Sequence, residues 1–257
     1  MSSSVTIRPL LGCPDVKNGD NLAEILLKCL KRNDISLKDQ DIICVAQKVV
    51  SKAEGCLIDL KKVEPSARAL FYSKKLNKDA RKIEVILQES TRIVKYFKHD
   101  DRTEGTLICK HKLGFISANA GVDESNIEGE DVALVLPKDP DCSAEAIRAY
   151  LKQRCGVKIG IVITDTFGRP WRVGQVNVAI GLAGVPATVK ERGKFDAYGR
   201  VLSVTEPAFC DEISAASGLV VSKRQKTPFV LFRGVDWSEG NHTAFDIIRE
   251  TKEDMFL

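Results

Sequence analysis

The chain has 257 residues, 44% of them hydrophobic and 29% charged, and a net charge of +4 from 39 basic and 35 acidic residues. These values exclude a disordered or fibrous chain and argue against a dedicated nucleic-acid-binding protein, which usually carries a clustered basic face. The eight cysteines form no C-x-x-C pair and no apolar run approaches the roughly 18 residues of a membrane span, so we expect a cytoplasmic protein with reduced, buried thiols.

The first half of the chain predicts helices interspersed with short strands. A strand at 5–9 precedes an amphipathic helix with Asp20 as its N-cap, and DIICVA at 41–46 is typical of a buried strand. Two helical patterns follow, one opening at Pro65 and Ser66 and the other covering 79–88. Short strands are predicted at 91–97, 106–109, 113–118 and 131–136. The basic stretch 74–82 is interrupted by Asp79 and indicates a solvated helix surface rather than a polyanion site.

The second half predicts a helix at 143–155, with Ser143 as its N-cap and Gly156 just past its end. The β-branched run VKIGIVIT at 157–164 predicts a central strand. Further strands are expected at 175–185, 201–205 and 227–234, with a helix at 211–221. Strands follow one another as often as they alternate with helices, which favours an α+β fold over a regular doubly wound sheet.

The segment ITDTFGRPWRVG, at 163–174, follows the predicted central strand. A carboxylate beside a hydroxyl offers hard oxygen ligands to Mg²⁺ or Mn²⁺, so Asp165 and Thr166 are metal candidates. Arg169 and Arg172 carry fixed positive charge suited to phosphate oxygens. The alternative is that Asp165 caps a turn and both arginines are solvated.

A second polar segment, SANAGVDESN at 117–126, also follows a predicted strand. Its carboxylate, Asp123, could share a cation with Asp165. An ordinary turn rich in Asn and Asp is the alternative interpretation.

The third segment, KVVSKAEG at 48–55, places Lys48 and Lys52 after the DIICVA strand, and Gly55 permits a tight turn. A lysine held there could neutralise a triphosphate, although no Walker motif is present. Taken alone, Lys52 is better explained as a surface charge.

Together these segments resemble one known family. From about residue 5 to residue 254, the order of motifs is similar to that of coenzyme F420-0:L-glutamate ligases, and the combination of NAGVD-x-SN, ITDT-x-GR and D-x-YGR is specific to them. The motifs that carry the resemblance are GDNLAEI, VVSKAEG, ANAGVDESN, LPKDPDCSAEAIR, ITDTFGRPWRVGQ, VAIGLAGV, DAYGR and DEISAA.

The resemblance implies a single catalytic unit over residues 1–257, built from mixed, largely antiparallel sheets with flanking helices. Whether this unit divides into two lobes is left undecided. It implies a homodimer that uses GTP and Mg²⁺ or Mn²⁺ to add L-glutamate to the deazaflavin precursor F420-0, with K⁺ open as a further cation. It assigns metal binding to Asp123, Asp165 and Thr166. The positions that match the family's nucleotide contacts are Cys13, Pro14, Asp15, Val16, Gln47, Lys48, Lys52 and Asn126.

The expected mechanism follows from the difficulty of making an amide in water. A carboxylate is a poor electrophile, so it would first take the γ-phosphoryl group of GTP and become an acyl phosphate, which the glutamate amine then attacks. The three histidines lie outside the motifs, and no Ser/His/Asp or Cys/His arrangement supports a covalent enzyme intermediate. Direct phosphoryl transfer is therefore preferred.

The chain departs from the family pattern at 222–227, where Ser222 replaces the usual glycine and Lys223 stands where a metal-coordinating oxygen can occur. Lys223 is thus a nucleotide-site candidate that cannot ligate a metal. The departure leaves undecided whether the second metal site is intact and whether the nucleotide is GTP or ATP. Two alternatives also remain: the same chemistry on another acceptor such as a folate, and a nucleotide- or deazaflavin-binding protein without catalysis.

Overall fold

A computed structural model describes residues 4–125, 129–221 and 226–254. The helices of this part of the chain are α1 Leu22–Arg32, α2 Gln47–Ala53, α3 Ala67–Leu76, α4 Ala80–Gln88, α5 Pro140–Cys155 and α6 Phe209–Ser217. Its strands are β1 Thr6–Pro9, β2 Ile42–Ala46, β3 Leu57–Asp59, β4 Ser90–Phe97, β5 Thr106–His111, β6 Ile116–Ala118, β7 Val132–Leu134, β8 Gly160–Arg169, β9 Arg172–Ala183 and β10 Phe229–Arg233. The predicted α+β class is confirmed.

The main sheet has five strands in the order β1-β10-β2-β8-β9. Three of its four strand pairs are antiparallel, whereas β2 and β8 run parallel, from Ile42 opposite Gly160 to Ala46 opposite Thr164. The two apolar runs that predict buried strands are therefore neighbours inside the sheet. Their carboxyl ends lie side by side, which is where ligands bind in parallel αβ units.

The main sheet has an apolar core on each face. Along β8, Ile161 and Ile163 belong to the core covered by α1 and α5, while Val162 belongs to the core covered by α6. This alternation is what a fully buried strand requires, because successive side chains point to opposite faces.

Two smaller sheets complete the described structure. Strands β4, β5 and β6 form an antiparallel sheet that shares a separate core with α3 and α4, and β3 pairs with β7. The ring of Phe115, beside β6, lies 5.0 Å from that of Phe167 on β8. The small sheet therefore packs next to the part of β8 that carries the metal candidates.

Two predicted helix caps are wrong. The N-cap of α1 is Asn21, whose side-chain oxygen accepts two backbone N–H groups of the first turn, while Asp20 caps the preceding turn through the N–H of Lys17. Helix α5 begins at Pro140 behind Asp139, because proline fits the first helical position and the Asp139 carboxylate accepts the N–H of Cys142.

Two segments differ from the predicted strands: β8 continues past Thr164 to Arg169, and 201–205 forms no strand. Residues after β2 turn directly into α2, a helix that the sequence does not predict. Residues 201–205 contact residues 191–195 through one bridge, between Phe195 and Val201, and a few backbone hydrogen bonds, and the side chains of Val201 and Val204 are exposed. Helix α6 also ends at Ser217, four residues before the predicted end.

All eight cysteines are free thiols, and five of them are buried; Cys142 and Cys155 are exposed. The basic stretch 74–82 lies on helix surfaces, and part of it is ion-paired: Lys78 contacts Glu104 and Lys82 contacts Glu124, at 2.7 and 2.8 Å. Among the described residues, no helix has the length and apolar character needed to cross a membrane.

Candidate active site

Two carboxylates, Asp123 and Asp165, approach each other at the carboxyl ends of β2 and β8. Asp165 lies on β8 one residue beyond the position paired with the end of β2. Asp123 is held by two backbone hydrogen bonds with Leu134, at 3.1 and 2.8 Å. Burial, together with the nearby charge of Asp123, raises the pKa of Asp165 to about 6, although the Thr166 N–H bonded to its carboxylate acts in the opposite direction. We call Asp123 and Asp165 the acidic pair.

Lys48, in the first turn of α2, holds one member of the acidic pair. Its Nζ lies 2.7 Å from Oδ2 of Asp123, 2.5 Å from the hydroxyl of Ser125 and 3.0 Å from the Ser125 carbonyl. Burial alone would raise the pKa of Asp123, but the hydrogen bonds from Lys48 and from the Ser125 N–H outweigh it and lower that pKa. Among the described residues, the Lys48 ammonium is thus the positive charge that acts on both carboxylates, so the two carboxylates outnumber it.

Gln47 fixes the other side of the site. Its side chain is buried, and its Oε1 accepts a hydrogen bond from the Ser51 hydroxyl at 2.8 Å. The side-chain amide also hydrogen-bonds to Asp165 and lowers the pKa of that carboxyl, against the larger effect of burial. The first two residues of α2 thus contact both members of the acidic pair.

The acidic pair suits a hard divalent cation. Within the described residues no group of three or more His, Cys, Asp or Glu side chains is arranged to hold a metal. Mg²⁺ is commonly bound through only one or two carboxylates, with water and phosphate oxygens completing its shell. Asp123 and Asp165 fit that pattern.

Thr166 faces away from the acidic pair. It is next to Asp165 on a regular stretch of β8, so their side chains point to opposite faces of the sheet. The Thr166 hydroxyl lies 2.9 Å from Oδ1 of Asn177 on β9, and Asn177 in turn donates to Ser217 on α6 at 3.2 Å. Asp165 and Thr166 therefore present their side chains on opposite faces of β8, and Asn177 is a polar neighbour of Thr166 that the sequence did not reveal.

Arg169 and Arg172 lie at the exposed tip of the β8–β9 hairpin. Arg169 donates to the carbonyl of Val173 at 2.8 Å. Arg169 lies four positions beyond Asp165, which is roughly 13 Å along a strand. The structure does not bring either arginine into contact with the acidic pair.

A second charged cluster surrounds Asp15. Lys226 Nζ lies 2.7 and 2.9 Å from the two carboxylate oxygens of Asp15, and this contact, with smaller effects from Lys52 and Lys17, lowers the pKa of Asp15. Lys48 and Lys52 are four residues apart on α2, so they share one helix face. Helix α2 therefore connects the acidic pair to the Asp15 cluster.

The other nucleotide candidates divide into two groups. In the loop after β1, Cys13 and Val16 are buried in the core, whereas Pro14 and Asp15 are exposed. Asn126 and Lys223, with Ser222, lie outside the described residues. Lys226, in the described part of the divergent stretch, contacts Asp15 in the predicted nucleotide loop.

Comparison with known proteins gives a consistent result. A family model described as F420-0:Gamma-glutamyl ligase matches residues 11–234. The "Coenzyme F420:L-glutamate ligase" of Methanothermobacter thermautotrophicus is 40% identical over 227 residues, which cover 88% of this chain and 87% of the relative. Proteins of the same name from Methanopyrus kandleri and Methanocaldococcus jannaschii are 42% and 38% identical, covering 94% and 96% of this chain and 93% and 94% of theirs.

Proposed function

The chain belongs to the F420-0:gamma-glutamyl ligase family and is therefore a ligase, and we propose that it joins L-glutamate to the carboxylate of coenzyme F420-0 with GTP as the energy source. The relatives named Coenzyme F420:L-glutamate ligase match almost the full length of the chain, which supports the acceptor and the amino acid. The observation that carries the chemistry is the meeting of Asp123, Asp165 and Lys48 at the carboxyl ends of two parallel strands.

The proposed reaction has two steps. An oxygen of the acceptor carboxylate attacks the γ-phosphorus of GTP, the bond to the β-phosphate oxygen breaks, and GDP leaves. The amine of glutamate then attacks the carbonyl carbon of the acyl phosphate, and inorganic phosphate leaves as the amide forms. Phosphoryl transfer depends mainly on positioning and on neutralising the charge of the transferred group.

The residues of α2 and the acidic pair have distinct roles in this proposal. Bound through Asp123 and Asp165, Mg²⁺ or Mn²⁺ would offset the negative charge on the phosphates. Gln47 orients Asp165, and Lys48 and Lys52 present ammonium groups from one face of α2 toward the triphosphate. Thr166 belongs to the other face of β8, where it would need a second cation to act as a ligand.

We also propose that the protein is a homodimer. Large apolar side chains are exposed along the β8–β9 hairpin and the following segment: Trp171 is 77% exposed, Val173 99% and Tyr198 89%. Exposed apolar surface of this kind marks interaction sites. Light scattering of the Trp171→Glu variant should show loss of the dimer, and a monomeric wild type would refute the proposal.

The direct test is turnover of the purified protein with GTP, L-glutamate and F420-0, followed by mass spectrometry of the products. We expect an acceptor heavier by one glutamyl residue, one GDP for each amide, and no product in excess chelator. Parallel reactions with ATP and with a folate ending in glutamate test the nucleotide and acceptor alternatives. Nucleotide binding without any product would instead indicate a non-catalytic binding protein.

A further inference from the structure

Oxygen atoms coordinate the ammonium of Lys48 in the way that they would coordinate a metal cation. Three oxygens surround its Nζ at 2.5–3.0 Å: Oδ2 of Asp123 and the hydroxyl and carbonyl of Ser125. The second carboxylate oxygen of Asp123 is also engaged, because it accepts the N–H of Ser125 at 2.7 Å. Both carboxylate oxygens of Asp123 thus have hydrogen-bond partners within the chain.

A divalent cation cannot simply join this arrangement. If it bound Oδ2 of Asp123, its charge would lie within a few ångströms of the Lys48 ammonium. A divalent cation carries two positive charges, so it repels a neighbouring ammonium twice as strongly as a univalent ion at the same distance would. Lys48 is only 23% exposed and Asp123 39% exposed, so water screens this repulsion incompletely. Exchange of one cation for the other is therefore favoured over sharing.

The phosphates of a bound nucleotide would offer Lys48 an alternative partner to Asp123. Its side chain starts from the first turn of α2, on the helix face that also carries Lys52 toward the Asp15 cluster. A triphosphate lying along that face would offer oxygens to both ammonium groups. The same movement that gives Lys48 a phosphate partner frees the Asp123 carboxylate.

We propose that Lys48 and the divalent cation exchange places on Asp123, so that the lysine keeps the metal site closed until a nucleoside triphosphate draws it away. This rests on the proposed function, because it takes Asp123 as a metal ligand and the α2 face as the phosphate site. Metal and nucleotide then bind with positive coupling, and by linkage each raises the affinity of the other equally. The closed arrangement limits metal binding without nucleotide.

The test is Mn²⁺ binding followed by electron paramagnetic resonance at pH 8, with and without a non-hydrolysable GTP analogue. Lys48→Met removes the ammonium and keeps the length of the side chain. In the absence of nucleotide it should raise Mn²⁺ affinity on the order of tenfold or more. Ser125→Ala removes one oxygen partner of Lys48 and should give a smaller rise.

Lys82→Met is the matched control. Lys82 contacts Glu124, the neighbour of Asp123, at 2.8 Å, so its removal changes the local charge by the same amount without freeing Asp123. We expect it to change Mn²⁺ affinity less than threefold, and we expect the analogue to increase Mn²⁺ affinity less in Lys48→Met than in wild type.

The failures are distinguishable. Equal nucleotide-free Mn²⁺ affinities of wild type and Lys48→Met, with the analogue still tightening both, would overturn the exchange and leave the metal site standing. Equal increases in Lys48→Met and Lys82→Met would reduce the effect to general electrostatics and also overturn it. If wild type bound no Mn²⁺ even with the analogue, the proposed metal site itself would be wrong.

Discussion

Replacing Asp165 by Asn should stabilise the folded protein while abolishing its turnover. Burial and the charge of Asp123 raise the pKa of Asp165 to about 6, so at neutral pH the native state carries a carboxylate that its surroundings disfavour. Asn cannot ionise, and its side-chain oxygen can still accept the N–H of Thr166. The same substitution removes a proposed metal ligand, so we expect turnover to fall by several orders of magnitude.

The stability effect can be sized from the two pKa values. A change from 3.8 to about 6 corresponds to between about 2 and 3 kcal/mol against the ionised form at pH 7. The raised pKa means that the folded state binds the proton more tightly than the unfolded state. The protonated carboxyl therefore stabilises the wild-type fold at low pH, and this contribution is lost as the pH rises from about 4 through 6. The Asp165→Asn variant should gain about 4–10 °C in Tm at pH 7.5 and almost nothing at pH 4.

The assay is thermal unfolding of both proteins in excess chelator at several pH values between 4 and 8. Asp123→Asn is the matched control, because its carboxylate is paired with Lys48 and its pKa is lowered. That variant should lose about 1–3 kcal/mol at pH 7 by leaving the ammonium without its charged partner. An Asp165 variant that is less stable than wild type at pH 7.5 would refute the proposal that the folded state disfavours the ionised Asp165. A Tm difference from wild type that is the same at pH 4 as at pH 7.5 would refute it equally.

Three further predictions concern the nucleotide, an ion pair and the packing of the main sheet. Lys52→Ala should weaken GTP binding roughly ten- to a hundredfold and leave glutamate binding unchanged in calorimetry, since a charge-assisted hydrogen bond contributes about 1.5–3 kcal/mol; unchanged GTP affinity would remove Lys52 from the site. Arg233→Met should lower the free energy of unfolding in urea by at least about 3 kcal/mol, because it leaves the Asp41 carboxylate, which is 1% exposed, without its cationic partner. A smaller loss would mean that water reaches Asp41. Gly181→Ala should lower the free energy of unfolding by about 1–3 kcal/mol, because its Cβ would lie 2.6 and 2.7 Å from backbone atoms at the start of α5. Gly168→Ala, which has open space around its Cβ, is the control for a general effect of removing glycine. Equal losses of stability in the two variants would reject the packing explanation.

The buried strands and amphipathic helices could be predicted because their apolar patterns are determined by burial. Strand β2 and the inner part of β8, residues 160–163, are fully apolar, as interior strands must be, and α1 and α4 show clear helical periodicity. Helix α2 has no such signal: it is seven residues long and Ala46 at its N-cap offers no side-chain hydrogen bond. The outer part of β8 is exposed and is held by its ladder to β9 rather than by an apolar face.

The site was predictable to the extent that strand ends place residues together. The sequence indicated that Asp123 and Asp165 follow strands, and the structure puts them close enough for their charges to interact. The orientation of Thr166 was not predictable while β8 was expected to end at Thr164, because alternation of side chains applies only within a continuing strand. The contact of Lys226 with Asp15 joins residues 211 positions apart, which no local pattern reveals.

Activation of the acceptor carboxylate by phosphoryl transfer at the acidic pair can be followed with an isotope. The measurement is a single-turnover reaction with GTP, L-glutamate and F420-0 whose acceptor carboxylate carries ¹⁸O, with mass spectrometry of the released phosphate. We expect one ¹⁸O atom to be transferred to phosphate for each amide formed by the wild type, and neither product from Asp165→Asn. Amide formation with unlabelled phosphate, or labelled phosphate from the Asp165 variant at the wild-type rate, would contradict this mechanism.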